Sequence, residues 1–532
     1  MAVFVGLAAL IGLATRRPGG PIDFFERGHW LGPASDMLAG KIPYRETFPI
    51  HGFLSDGGLD LLLFTLFEPN FQLSLTAHHL LGIFFHPSLY LVAAMATRRP
   101  WLAAAAIPLN IALATEILAD RPVLPLLGLA AFLWALGHPT RRGRAVLAGS
   151  LGGIGFLYAL EFGTFVLVAE LATLGFGRLT IREREERPLA SRSFFLGLGA
   201  VLAPFLAYLA VVGALIPFLR TSFLDLPLWI HPVWGWDFPT PWALLSSWLV
   251  GPPYRIGELT IGLGVAKRLY LAPLFGGLGI LLALRIRRIF GLRLLALRLF
   301  VVSVACLCFF RYVVARLHLD VGNALTGPLL LLLLVASYKA YRDTHPAPRR
   351  KRVVAVFVLV ALFAGLAMNA AVRTLRVLRD ATEYRVRMAV RAGLVPLSLP
   401  RGGAALVPPH QAREIAALAA WLERAVPPGS RILDLTNRPA LYFFLRRQNS
   451  TRFYQVPLME PFQDEVLRDL KAEPPAVVLL QRDTPYDTVE GIPHQLFIPQ
   501  VWRYLETYFP RRVRVGETLI ALPRSSAGTP YE

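Results

Sequence analysis

The hydrophobic positions of this chain fall into long unbroken runs separated by short polar connections. LYLVAAMA from Leu89, FLGLGAVLAPFLAYLAVVGALIPFL from Phe195 and VVAVFVLVALFAGLAM from Val353 are three of them. A helix of about 20 apolar residues crosses a hydrocarbon core of about 30 Å with its backbone groups bonded internally. Read along the chain, the pattern predicts spans at 2–15, 74–96, 101–118, 122–137, 145–160, 163–176, 194–216, 267–284, 293–310, 324–338 and 353–372. The expected fold is a polytopic α-helical membrane protein with about eleven transmembrane helices.

Arginine sets the expected orientation. TRRP at 97–100, TRRGR at 140–144, REREERPLASR at 182–192, RIRR at 285–288 and PRRKR at 348–352 mark five connections as cytoplasmic by the positive-inside rule. The N-terminus is then inside and everything after Met368 outside, with Arg16 and Arg17 the exception to the alternation. Three outer connections result, at 16–73, 218–267 and 311–323, and all face one side of the membrane. No removable signal peptide is expected, because RRPGG follows the first run where small residues would form a cleavage site.

From Arg373 the pattern changes. REIAALAAWLERAV, PFQDEVLRDLKAE and IPQVWRYLETYF read as amphipathic helices, RILDLTN and AVVLLQR as strands, and RVRVGETLIALP as a final hairpin. The expected division is a membrane domain over 1–372, with interfacial helices in its first outer loop (16–73), and a C-terminal extracytoplasmic α/β domain over 373–532 with a partly parallel sheet.

Composition agrees with the membrane reading: 55% of residues are hydrophobic and 17% charged, against about 25% in a soluble protein. The net charge of +20 would suit nucleic acid, but the arginines sit in the connections between apolar runs, so no nucleic-acid partner is expected. Cys306 and Cys308 lie two apart in one apolar run, on different sides of a helix, so no mutual disulfide is expected.

One stretch stands out against this background: PIDFFERGHWLGPASDMLAGKIPYRETFPIHG at 21–52. Asp23 and Glu26 have the spacing of a capping box, Gly32-Pro33 can start a second short helix, and Gly40 can end it. Trp30, Leu31, Met37 and Leu38 would then rest at the membrane interface. Solubility alone does not need so many ionisable groups, and Asp23, Glu26, His29, Arg45, Glu46 and His51 all fall within this stretch. A carboxylate at headgroup depth can take a proton from an acceptor hydroxyl, and an arginine can hold a phosphate with two parallel bonds.

Residues 21–52 resemble the first extracytoplasmic loop of bacterial GT-C membrane glycosyltransferases, including the dolichyl-phosphate-mannose-type mannosyltransferases. The pattern D-x-x-E-x-G-x-x-L-x-P-A is present as Asp23, Glu26, Gly28, Leu31, Pro33 and Ala34. G-K-x-P-Y-R-D is present as GKIPYRE at 40–46, with Glu46 where Asp is usual. The resemblance spans roughly 1–372 and implies a GT-C-like helical bundle in a bacterial inner membrane, with the C-terminal domain periplasmic. It also implies a polyprenyl-phosphate-linked sugar donor, membrane lipids as surroundings, and a glycan, lipid or protein acceptor. In this reading Asp23 is the general base, and Glu26 is its orienter or, with Asp23, a ligand of a divalent cation (Mg or Mn). Arg45 and Arg316 lead the donor-phosphate candidates, with His318 assisting and Arg311 nearby. His51, Glu46, Glu161 and Asp320 complete the candidate set.

Two other readings stay open: a non-catalytic glycan- or lipid-binding protein on the same fold, and a transporter or flippase of lipid-linked sugars. A transporter needs ionisable groups near the bilayer midplane, and the expected spans carry almost none in their middles.

Overall fold

The computed structural model describes residues 1–15, 21–113, 120–138, 140–180, 191–230, 254–256, 259–261, 270–290, 292–316, 323–344, 372, 374–388, 390, 393–403, 405–481, 488–489 and 492–524. The chain forms two compact units. A helical unit comprises Met1–Arg16, His79–Pro204 and Gly235–Tyr384. A sheet unit comprises Arg17–His78, Phe205–Trp234 and Arg385–Glu532.

Among the described residues four helices are long and apolar enough to cross a membrane: Phe71–Thr97, Leu160–Arg178, Ser191–Val211 and Arg293–Arg311. Shorter apolar helices are Ala2–Thr15, Pro100–Ile111, Val123–Leu136 and Thr326–Ala340. This is the pattern of a multi-pass membrane protein. The expected span at 353–372 lies outside the described residues except for Val372. At 145–176 the sequence suggests two short spans, whereas the helices run Arg142–Tyr158 and Leu160–Thr180, reversing at Ala159. Cys306 and Cys308 are free thiols.

The middles of the apolar helices are less free of charge than the sequence suggests. Glu170 is completely buried at the centre of Leu160–Thr180, beside Gly152 of the preceding helix, and Arg298 is buried nearer an end, in the second turn of Arg293–Arg316. Hydropathy averages hide one ionisable side chain among many apolar ones, so the period of the pattern gives no warning of it.

The sheet unit is built on five strands: β1 (Arg431–Asp434), β2 (Gln448–Asn449), β3 (Val477–Gln481), β4 (Arg511–Val515) and β5 (Thr518–Leu522). Their order is β4-β5-β3-β1-β2. β1 runs parallel to both β2 and β3, while β5 is antiparallel to β3 and to β4. The parallel half has its crossovers through helices, and the β4–β5 half is a hairpin turned at Gly516. Helices Pro409–Ala425, Gln463–Ala472 and Pro499–Tyr508 bury their apolar stripes (Ile415, Leu418 and Leu422; Val466 and Leu470; Val501 and Leu505). The sequence pattern omits β2, which is two polar residues long and has no alternation to read.

The compact units do not divide at 372/373. Residues 17–78 fold with the sheet because their polar side chains complete its edge. Asp36 accepts from the Asn449 amide at 3.1 Å, and Lys41 donates to Asp36 (3.1 Å) and to the Asn449 carbonyl (2.5 Å). Main-chain bonds from Ile22 to Leu406, from Ala440 to Phe24 and from Phe71 to Arg401 fasten the same segment. A buried Lys–Asp pair holds only when its remaining bonds are satisfied, and here the strand edge supplies them.

Candidate functional site

Asp23 opens the site. Its Oδ1 accepts from the Phe25 and Glu26 amides at 2.9 and 3.0 Å, which closes the turn leading into α1 (Gly28–Leu38). Asp23 is exposed, and its Oδ2 has no bonding partner among the described residues. One oxygen is therefore fixed and the other faces outward. Pro33 lies inside α1, so a single helix replaces the two short ones expected, and the left-handed Gly40 follows its end.

Glu26 points toward His29, with Oε2 4.0 Å from Nε2. The His29 ring meets the His51 ring edge to face at 5.0 Å. Behind them His51 Nδ1 lies 3.1 Å from Asp56 Oδ1. Asp56 is buried, and its Oδ2 accepts from the Ile50 and His51 amides at 2.6 and 2.8 Å. The order Glu26, His29, His51, Asp56 runs from an exposed carboxylate to a buried one through two imidazoles.

Gly57 makes this possible. Its φ is +103°, and a Cβ there would lie 2.5 Å from the Ala34 nitrogen, so only glycine lets the Asp56 turn approach α1 this closely. Burial pushes the Asp56 carboxyl up, but His51, His29 and the His51 amide outweigh it and hold the group below the usual carboxylate range.

Arg45 and Glu46 form a pair of their own. The Arg45 guanidinium donates to Glu46 and, at 2.8 Å, to the Val212 carbonyl just past the end of the Ser191–Val211 helix. Glu46 also accepts from the Ile42 amide at 2.9 Å. Partial burial pushes its carboxyl up, and Arg45 with the Ile42 amide more than offsets this, leaving it below the usual range. A second carboxylate–imidazole pair joins Asp60 to His78 Nε2 at 3.1 Å, with Trp30 stacked on the His78 ring.

No protein-family model and no curated protein matches the chain. Among solved structures it is similar to ArnT from Cupriavidus metallidurans bound to undecaprenyl phosphate, at 16% identity and a TM-score of 0.46, over 99% of each chain. It is also similar to the Archaeoglobus fulgidus oligosaccharyltransferase. The apo form gives 13% identity and a TM-score of 0.42, over 90% of this chain and 69% of that one. The complex with Zn and sulfate gives 12% and 0.40, over 90% and 67%.

The remaining candidates lie elsewhere or outside the described residues. Glu161, in the first turn of its helix within the helical unit, pairs with Arg121 at 3.1 Å. Arg311 is exposed on Arg293–Arg316, the Arg316 side chain is outside the described residues, and so are His318 and Asp320. Among the described residues no group of three or more His, Cys, Asp and Glu converges as a metal site. With one Asp23 oxygen tied to amides and Glu26 turned to His29, this pair does not by itself make a protein-built cation site.

Sequence reasoning missed Asp56, Asp60 and the Asp36–Lys41 pair. The one usable signal for Asp56 was the S-D-G-G turn five residues after His51. Because its folded pKa is depressed, the bonds of Asp56 stabilise the fold fully above the ordinary carboxylate range, and that contribution is lost as pH falls through the folded value. Asp56→Asn is expected to destabilise the protein by about 2 kcal/mol at pH 7. The gap to wild type should narrow below about pH 4, as thermal unfolding across a pH series will show.

Proposed function

We propose that this protein is a membrane glycosyltransferase that moves a sugar from a polyprenyl-phosphate donor to the hydroxyl of an extracytoplasmic glycan, lipid or protein. The observation that carries the proposal is Asp23: a carboxylate held by two amides through one oxygen, open at the other, beside the Glu26–His29–His51–Asp56 series. The resemblance of residues 21–52, Asp23 and Glu26 among them, to the GT-C first outer loop supports the same reading. In the reaction the acceptor oxygen bonds to the anomeric carbon, the bond from that carbon to the phosphate oxygen breaks, and the hydroxyl proton passes to Asp23 Oδ2. Polyprenyl phosphate leaves. Glu26 and His29 orient the rim of the site, and Arg45, Arg316, Arg311 and His318 are the proposed partners of the donor phosphate.

The transport reading has one observation in its favour, the buried Glu170 in the middle of an apolar helix. One experiment separates the two. Purified protein in liposomes is given a polyprenyl-phosphate-linked radiolabelled sugar on one face and a glycan acceptor on the same face. Label appearing on the acceptor supports transfer. Labelled lipid reaching the opposite leaflet with no product would make the protein a transporter.

A further inference from the structure

The stretch from 215 to 230 in the sheet unit is amphipathic in the reverse sense. It comprises the short helix Leu215–Arg220 and a wide-turned π-type helix, Thr221–Ile230. Ile216, Leu219, Phe223, Leu224, Leu228 and Trp229 are between 41% and 71% exposed. Thr221, Ser222 and Asp225 are buried. A segment folded for water puts its apolar residues inward and its polar residues outward. Here three polar side chains are buried together with Phe218 and Leu226 while six large apolar ones face outward, so the outer face is made for an apolar medium.

The inner polar face has partners that hold it in this sense. Arg452 donates to Thr221 Oγ1 at 3.3 Å and lies 4.0 Å from Asp225. Arg220 donates to Asp225 at 3.3 Å. Phe218 fixes the start of the stretch by packing against Tyr44 and Phe205. The rotation of the segment is thus set by charged and aromatic contacts, and the six outward apolar side chains follow from it.

We propose that residues 215–230 lie flat in the interfacial zone of a lipid bilayer, with Leu219, Phe223, Leu224 and Leu228 among the acyl chains. Three observations favour lipid over another occupant. The stretch begins four residues after the end of Ser191–Val211, a helix apolar and long enough to span, of whose most apolar part only 22% is buried. Tyr208 and Val211, in the last turns of that helix, are exposed too, so the apolar face is continuous along the chain. Trp229 and the exposed Arg220 are the residue types that settle at headgroup level, the indole by its amphipathic ring and the arginine by reaching out of the apolar layer. Since the inner face is tied to Arg452, and Arg452 Nη1 also donates to the Tyr44 carbonyl, the lipid contact is wired to the loop carrying Arg45 and His51.

The test uses the full chain with Cys306→Ser and Cys308→Ser, reconstituted in phosphatidylcholine/phosphatidylglycerol bilayers. Nitroxide labels are placed on Phe223→Cys or Leu224→Cys, with Thr507→Cys as a water-exposed reference. Collision with oxygen, which concentrates in the bilayer, is compared with collision with a water-soluble nickel chelate. The expected result is an oxygen-to-nickel ratio several-fold higher at 223 and 224 than at 507. A ratio equal to that at 507 would overturn the proposal, because the face would be in water. Low collision with both reagents would also overturn it: label–label broadening that disappears on dilution with unlabelled chain would identify a second copy as the cover, and low collision without such broadening would identify the chain itself. The readout does not depend on sugar transfer, so the two proposals fail separately.

Discussion

Replacing Asp23 by asparagine is expected to leave the protein folded and donor-bound while lowering sugar transfer by roughly 10²-fold or more. The substitution is chosen for what it preserves. Asp23 caps the turn before α1 through Oδ1 alone, and the amide oxygen of asparagine can accept the same two bonds from Phe25 and Glu26. What asparagine removes is the charge and basicity of the outward oxygen. Thermal midpoint and donor binding should stay at wild-type values, and the single-turnover rate of transfer should fall. A variant that turns over like wild type would reduce Asp23 to the cap of the turn before α1.

The second large effect is expected at Arg452, and it concerns stability. Its guanidinium grips Glu465 with two bonds, donates to the Tyr44 carbonyl and Thr221, and lies against the rings of Phe48 and Phe453. Arg452→Met keeps much of the apolar volume but leaves Glu465 and the buried Asp225 without that charge. Breaking such a pair from one side costs about 3–5 kcal/mol, mostly because the partner charge stays behind. Arg452→Lys should recover little, since an ammonium cannot reproduce the planar two-point contact. Adding Glu465→Gln to Arg452→Met should recover part of the loss, and a denaturation double-mutant cycle will measure the coupling. Equal stabilities of wild type and Arg452→Met would remove this arginine from its place at the centre of the unit.

The sequence was most legible where the physics is local. The capping spacing of Asp23, the left-handed Gly40 and the helices and paired strands after Arg373 each depend on neighbouring residues. It was least legible where a side chain is defined by something far away along the chain. Asp36 and Lys41 look like ordinary loop charges until Asn449 is brought to them, and Asp56 looks like a turn residue until Gly57 lets it reach behind His51. Asn449 shows the converse. As part of Asn449-Ser450-Thr451 it reads as a glycosylation triplet, yet its side chain is buried and donates to the Phe453 carbonyl. Glu170 was missed because one carboxylate scarcely alters the mean of a long apolar run.

The bond between Lys41 and the Asn449 carbonyl joins residues 408 positions apart. At about 5–20 residues per second, a ribosome needs roughly 20–80 s to travel that distance. Throughout that interval the first connection has already been made, with a lysine and an aspartate that have each other but not yet the strand-edge groups of Asn449. It must wait in an unfinished form while later helices enter the bilayer, and it closes only when the last part of the chain arrives. A nascent chain halted before residue 449 would therefore carry the Asp36–Lys41 pair without the amide and carbonyl that complete its bonding.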